Sequence, residues 1–307
     1  IYHPNITDGA FDSYQFQREK NFIKDSLENS TTNIYSVGYQ NFLTYVDENG
    51  ILKNNLYHNR HLLEKASEKC LYDFYKRSIL ENTPCIIVYG DIDEEKVHSL
   101  FSKYIDLTPR KIEIVRNYEC YLTPRSETQY IEEDSSFNQS ALYMGYKVKN
   151  MKQSDTIYLR VLYRILNGSE NNLLFNTLRL DHNLVYDVRL SNFLKTGLLF
   201  IETYLKDCSK DEAIQAIGET LGKLHDVDFV QACLDKIIIA NTYRLIREKD
   251  SKYSVVNEYI DTCMDIELTL EEIYHQYEQL DIQKFIEFLD RFILDTVYFL
   301  RGEASEK

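Results

Sequence analysis

Arg179 and Tyr186 stand seven residues apart in Leu178-Arg179-Leu180-Asp181-His182-Asn183-Leu184-Val185-Tyr186. The pattern predicts that Arg179 ends a helix and that Tyr186 opens the next strand, so a short loop folds both onto one side. A guanidinium and a phenol placed there can each donate to a peptide carbonyl, and to the oxyanion that develops when that carbonyl is attacked. The same spacing also fits a plainer arrangement, in which Arg179 binds a local carboxylate and Tyr186 fills a core. Spacing alone leaves both open.

Hydrolysis of a peptide by zinc needs three protein ligands, an open position for water and a carboxylate base. A helix supplies most of this as His-x-x-Glu-His, with both imidazoles on one face. The seven histidines are His3, His58, His61, His98, His182, His225 and His275, and none lies in that motif or its reverse. His58-Asn59-Arg60-His61 comes nearest, but no acid stands between the two rings, and a polar helix start is the simpler reading. There is no nucleophile elbow, phosphate loop or dinucleotide fingerprint, and only 10 glycines to build one. Six cysteines, at positions 70, 85, 120, 208, 233 and 263, form no CxxC pair. They read as buried, reduced thiols of a cytoplasmic protein.

These groups must be carried by a chain of 307 residues, long enough for two domains with their own cores. No apolar run approaches the roughly 18 residues that span a bilayer. A net charge of −14 repels nucleic-acid phosphate and anionic lipid, so neither is an expected partner. Residue 1 is Ile and no targeting segment opens the chain, which reads as part of a longer protein.

Apolar periodicity predicts helices over 11–30, 33–46, 62–80, 94–105, 155–166, 171–181, 209–224, 227–248 and 281–291. Strands are predicted over 84–89, 112–118, 127–133, 140–148, 184–190, 197–205 and 295–300. Asp91 with Glu94 reads as the capping box of the fourth helix. Residues 72–91 and 284–303 repeat one order (amphipathic helix, polar hinge, apolar strand, Gly, acid) at an offset of 212, with Gly90 matching Gly302. Two related domains are expected, residues 1–112 being the later part of a first and 113–307 a second. Strand runs mixed with helix pairs indicate an α+β fold with mainly antiparallel sheets flanked by helices.

Several segments, spread from about residue 10 to the end, resemble the insulinase and mitochondrial-processing-peptidase family, peptidase family M16. Phe16-Gln17-Arg18-Glu19-Lys20-Asn21-Phe22-Ile23 is similar to the family helix whose Glu is the third zinc ligand. Residues 71–75 followed by Cys85-Ile86-Ile87-Val88-Tyr89-Gly90-Asp91 resemble the end of the family's first domain. Gln139-Ser140-Ala141-Leu142-Tyr143-Met144-Gly145-Tyr146 looks like the first strong strand of its second, and residues 162–174 resemble a helix turn that follows. The stretch from Leu178 to Val188 is the most specific match, similar to a motif whose Arg and Tyr reach toward bound substrate. The resemblance implies duplicated domains of the LuxS and processing-peptidase type facing each other around a chamber for extended peptide.

The match departs from the family's pattern at Lys24-Asp25-Ser26, where a second Glu is usual, and at Glu81-Asn82-Thr83-Pro84. These departures resemble the degenerate bacterial M16 partner that sits beside an active paralogue and is associated with modification of elongation factor P. Three readings follow. The chain is a non-catalytic subunit that supplies Arg179 and Tyr186 and encloses peptide beside a zinc-bearing M16 paralogue. Or it is part of an active zinc endopeptidase whose His-x-x-Glu-His lies upstream, making Glu19 the third ligand. Or it is a non-enzymatic scaffold. On the first, Glu19 is a vestigial ligand or a solvated acid, this chain holds no cofactor, and zinc belongs to the partner or to the full-length protein.

Overall fold

The computed structural model describes residues 4–47, 50, 52–81, 86–105, 120–206, 209–249, 251–263 and 268–303. In chain order the elements begin with β1 (Ile6–Thr7), β2 (Ala10–Phe11), α1 (Ser13–Ser30), α2 (Ile34–Val46), α3 (Arg60–Lys65) and α4 (Glu68–Tyr75). A π turn over Lys76–Leu80 extends α4, and α5 (Glu94–Tyr104) follows. Next come β3 (Gln129–Asp134), β4 (Ser140–Val148), α6 (Thr156–Asn167) and α7 (Leu173–Phe175), which runs on as a π turn over Asn176–Asp181. Then come β5 (Val185–Phe193), β6 (Leu198–Leu205), α8 (Lys210–Gly222), α9 (Val227–Lys249), α10 (Lys252–Cys263), α11 (Leu270–Glu278), α12 (Ile282–Leu289) and β7 (Phe292–Arg301).

The elements group into two compact units that do not follow chain order. Unit 1 takes residues 1–32, 54–117 and 249–267, and unit 2 takes 33–53, 118–248 and 268–307. The expected boundary near residue 112 lies outside the described residues.

In unit 1, Asp8 and Gly9 have positive φ (51° and 73°) and turn β1 tightly into β2. Asp12 then caps α1 by accepting from the Gln15 N–H at 2.9 Å. Lys20 reaches from α1 to the last carbonyls of α3, those of Glu64 and Ala66, at 3.1 Å each. The single helix expected over 62–80 is broken, because Ala66 is extended and Ser67 starts α4 afresh by capping Cys70 N–H. The cap of α5 is Asp93, not Asp91, since Asp93 Oδ1 accepts from Lys96 N–H at 2.8 Å. Residues 86–89 of the expected strand over 84–89 form no strand, and Ile86, Val88 and Tyr89 are exposed. A strand needs a laterally bonded neighbour, and none pairs with them among the described residues. Residues 84–85, and the strand expected over 112–118, lie outside the described residues. The repeat at offset 212 therefore shares its helix in both copies, but only the second continues into a strand among the described residues.

Unit 2 is built on a five-stranded sheet in the order β3-β7-β4-β6-β5. All neighbours are antiparallel except β3 with β7. β4 is buried along its whole length. Its alternation sorts side chains to two cores. Leu142, Met144, Tyr146 and Val148 point to a helical layer in which α6, α8, α9 and α12 bury Leu162, Ile217, Ile237 and Phe288. Ala141 and Tyr143 point the other way, onto Phe42, Leu43 and Val46 of α2. α2 sits close because two glycines leave room. A Cβ on Gly38 would lie 2.8 Å from the Tyr143 ring, and one on Gly145 would lie 2.8 Å from that of Phe42.

Candidate functional site

The π turn that ends α7 carries Arg179, and β5 starts six residues later. Arg179 Nη1 donates to the carbonyl of Val185 at 2.9 Å and to Asn183 Oδ1 at 3.2 Å. Its Nε and Nη2 make no hydrogen bond among the described residues. Asn183 supplies the bend with positive φ (52°), a conformation its short amide side chain tolerates. β5 then pairs with β6 as Val185↔Leu205 and Asp187↔Tyr204, so Tyr186 is the extra residue of a β-bulge on the edge strand. Val185, Val188 and Leu190 enter the helical core. Tyr186, Asp187 and Arg189 are thereby turned to the opposite face, and Tyr186 is 46% exposed.

Further along that face the sheet carries carboxylates and phenols that the sequence reading did not single out. Tyr204 donates to Glu202 Oε1 at 2.7 Å, and its hydroxyl lies 3.2 Å from that of Tyr143. Arg189 pairs with Asp187 at 2.9 Å, lies 3.7 Å from Glu202, and stacks over Tyr35 of α2 at 5.3 Å. Burial raises the Glu202 carboxyl above its ordinary value, against the pull of the Tyr204 hydroxyl and Arg189. Burial likewise raises both phenols. A second group gathers at Glu133, which accepts from Tyr45, from Tyr298 at 2.6 Å and from Asn41 at 3.0 Å. The bond to Glu133, with burial behind it, pushes the Tyr45 phenol up to about 12. A third group centres on Asp295, which takes Arg125 at 2.6 Å and Lys147 at 2.9 Å. Burial works against its carboxylate, but the Arg125 backbone N–H, the Lys147 ammonium and the Thr296 hydroxyl outweigh burial and hold it below the ordinary value. The readable signal for these residues was an acid inside an apolar strand, Glu202 in Leu-Leu-Phe-Ile-Glu-Thr-Tyr-Leu and Asp295 in Phe-Ile-Leu-Asp-Thr-Val.

Glu19 lies in unit 1, exposed on α1, and pairs with the neighbouring Arg18 at 2.7 Å. His58 Nδ1 lies 3.1 Å from Asn55 Oδ1, and His61 is on α3. Among the described residues no group of three or more His, Cys, Asp or Glu side chains could hold a metal ion. The donors among the described residues therefore do not fit a zinc centre. Of the cysteines expected to be buried, Cys233 is, whereas Cys70 is exposed and Cys120 is half-buried. Cys85 and Cys208 lie outside the described residues. Among the described residues no helix is long and apolar enough to cross a membrane.

A mainly antiparallel sheet with helices layered on it makes this an α+β domain. The chain belongs to the M16 peptidase family: the model of the peptidase M16 inactive domain matches residues 65–241. It is 22% identical over 316 residues to the probable inactive metalloprotease YmfF of Bacillus subtilis, covering 98% of this chain and 71% of that protein. Two crystal structures share the fold. A conserved protein from Enterococcus faecalis has a TM-score of 0.79 at 20% identity, over all of this chain and 73% of that one. A peptidase M16 inactive domain from Pseudomonas fluorescens has a TM-score of 0.69 at 14% identity, over 97% of this chain and 73% of that one. Family and relative together mark an M16-like protein.

Proposed function

We propose that this chain is a cytoplasmic, non-catalytic M16 subunit that binds and helps enclose an extended peptide beside an active paralogue carrying His-x-x-Glu-His. The observation that carries the reading is the bulge at Tyr186. Arg179 holds the carbonyl just before it, and the bulge turns the phenol outward while Arg179 keeps further N–H donors uncommitted. Arg179 and Tyr186 would donate to carbonyls of the bound peptide, and zinc and the general base would come from the partner. Glu19 is a surface acid in this reading, and it would become a third zinc ligand only with two histidines supplied from beyond the described residues.

The test mixes this chain with an M16 paralogue that carries His-x-x-Glu-His and measures hydrolysis of a quenched-fluorescence peptide. Arg179→Ala and Tyr186→Phe should lower kcat/KM about tenfold or more, the scale of one lost charged hydrogen bond in the transition state, while the two chains still associate. Unchanged rates with intact association would make the chain a scaffold instead. Zinc bound by this chain alone would favour an active peptidase.

A further inference from the structure

On the helical side of unit 2, away from the face that carries Tyr186, two adjoining cavities of about 560 and 470 Å³ share Tyr163, Arg164 and Arg244 as walls. Four arginines line them, at positions 160, 164, 244 and 247, against the two acids Glu170 and Glu248. That is a local excess of positive charge on a chain whose net charge is −14, so it is not a sample of the general surface.

The acids do not exhaust the donors. Glu170 is held by Arg164, through Nε at 2.6 Å and Nη2 at 2.5 Å, with both side chains nearly buried. Arg244 gives Nε to Glu248 one turn on, and its two terminal nitrogens make no hydrogen bond among the described residues. The Tyr274 hydroxyl is buried and has no hydrogen-bond partner there, and neither has Asn192 Oδ1 in the same cavity. Buried polar atoms are rarely left unmet in folded proteins. The floor is apolar, made by Leu190, Leu270 and Ile273.

We infer that this cavity is a binding site for the carboxy-terminal residue of a peptide. The carboxylate meets Arg244 and the Tyr274 hydroxyl, the terminal backbone N–H meets Asn192 Oδ1, and an apolar side chain lies on the Leu190 and Ile273 floor. The acceptor on Asn192 separates this occupant from a simple organic acid, because the terminal residue of a peptide brings an N–H beside its carboxylate and a simple acid does not. The cavity is distinct from the edge-strand site of Arg179 and Tyr186, so either can fail without the other.

Isothermal titration with an acetylated tetrapeptide ending in leucine tests the assignment, alongside its carboxy-terminal amide and free 4-methylpentanoate. The free-acid peptide should bind saturably, and the amide, the simple acid and the Arg244→Gln variant should each weaken binding about tenfold or more. Tyr274→Phe should do two opposite things, weakening the peptide about threefold or more while raising the melting temperature without ligand, since it deletes an unmet buried hydroxyl. No saturable binding at millimolar peptide would overturn the site. Equal affinity for acid and amide, or for the simple acid and the peptide, would overturn the occupant. Tight binding unchanged in both variants would place the peptide elsewhere.

Discussion

Arg179 donates from Nη1 to the carbonyl oxygen of Val185, the residue that precedes the bulge in β5. One side chain on the preceding turn thus fixes the backbone that aims Tyr186. Arg179→Ala should cost about 1 kcal/mol of stability, the worth of a partly exposed hydrogen bond, readable as a small fall in the denaturant midpoint. Amides from 186 to 188 should exchange faster with solvent. Arg179→Lys should restore part of both, because both bonds leave the single nitrogen Nη1 and an ammonium also carries several N–H donors on one nitrogen. If the midpoint falls by far more, Arg179 is chiefly a structural group and its share in binding peptide loses its support.

Glu202 predicts a stabilising mutation. Its folded carboxyl is raised above the ordinary value by burial, so the folded protein holds that proton more tightly than the unfolded chain. Stability from this group is fully present below pH 4.5, the ordinary value, and is lost as pH rises through the raised one. Glu202→Gln keeps an acceptor for the Tyr204 hydroxyl and removes the buried charge. Melting at pH 7 should therefore be higher in Glu202→Gln, with the advantage shrinking toward pH 4. A constant difference across that range would mean that the carboxylate is effectively solvated.

The legible parts of this fold are those whose signal lies within one element. Alternation over 140–148 placed Leu142, Met144, Tyr146 and Val148 on one face, and the helical core receives them. The α+β class and the largely antiparallel sheet followed from the order of elements. What was not legible depends on distant partners. Nothing local to residues 33–46 says that α2 will lie on a strand a hundred residues later, and the Tyr45 and Tyr298 bonds to Glu133 span 88 and 165 residues. The bulge at Tyr186 exists only in the register of β5 against β6, so sequence could place the phenol on a strand but not turn it outward. Other misses were readable. Thr269 and Glu272 form the capping box of α11, a helix absent from the predicted set. Asp91 and Asp93 compete as caps two residues apart, and the helix starts at Glu94 because Asp93 is adjacent to it.

The close seat of α2 predicts a substitution that defies helix propensity. Gly38→Ala should favour the isolated helix by about 1 kcal/mol. In the folded chain the new methyl would stand 2.8 Å from the Tyr143 ring. That ring cannot swing aside, because it is fully buried, stacked on Phe42 at 5.3 Å and within hydrogen-bond reach of Tyr204. Overpacking of this kind costs about 1–3 kcal/mol, so the net change should be destabilising. Gly145→Ala should behave alike against Phe42. Double replacement of Gly38→Ala with Tyr143→Leu tests the cause, since removing the ring should recover part of the loss from the alanine. Additive losses would place the strain elsewhere.

Asp295 predicts the largest loss. It is fully buried and compensates both Lys147, which is nearly as buried, and Arg125, which also donates from Nη2 to the Tyr45 carbonyl at 2.6 Å. Burial pulls the Lys147 ammonium below its ordinary value, against the pull of Asp295. With the carboxylate gone, that ammonium would be stranded without its counter-charge. Asp295→Asn should cost about 3–5 kcal/mol, the scale for breaking a buried pair from one side, and should loosen the end of α2 that Arg125 holds. The pH dependence has a definite sign. The folded carboxyl lies below its ordinary value of 3.8, so its contribution is present above that pH and is lost as pH falls through the depressed value. Denaturation curves of wild type and Asp295→Asn should stand well apart at pH 7 and converge in acid. A double variant, Lys147→Met with Asp295→Leu, should recover much of the loss if the stranded charge is its cause. If it recovers none, the packing of β4 on β7 and the bonds of Arg125, rather than the ion pair, hold this corner of the sheet.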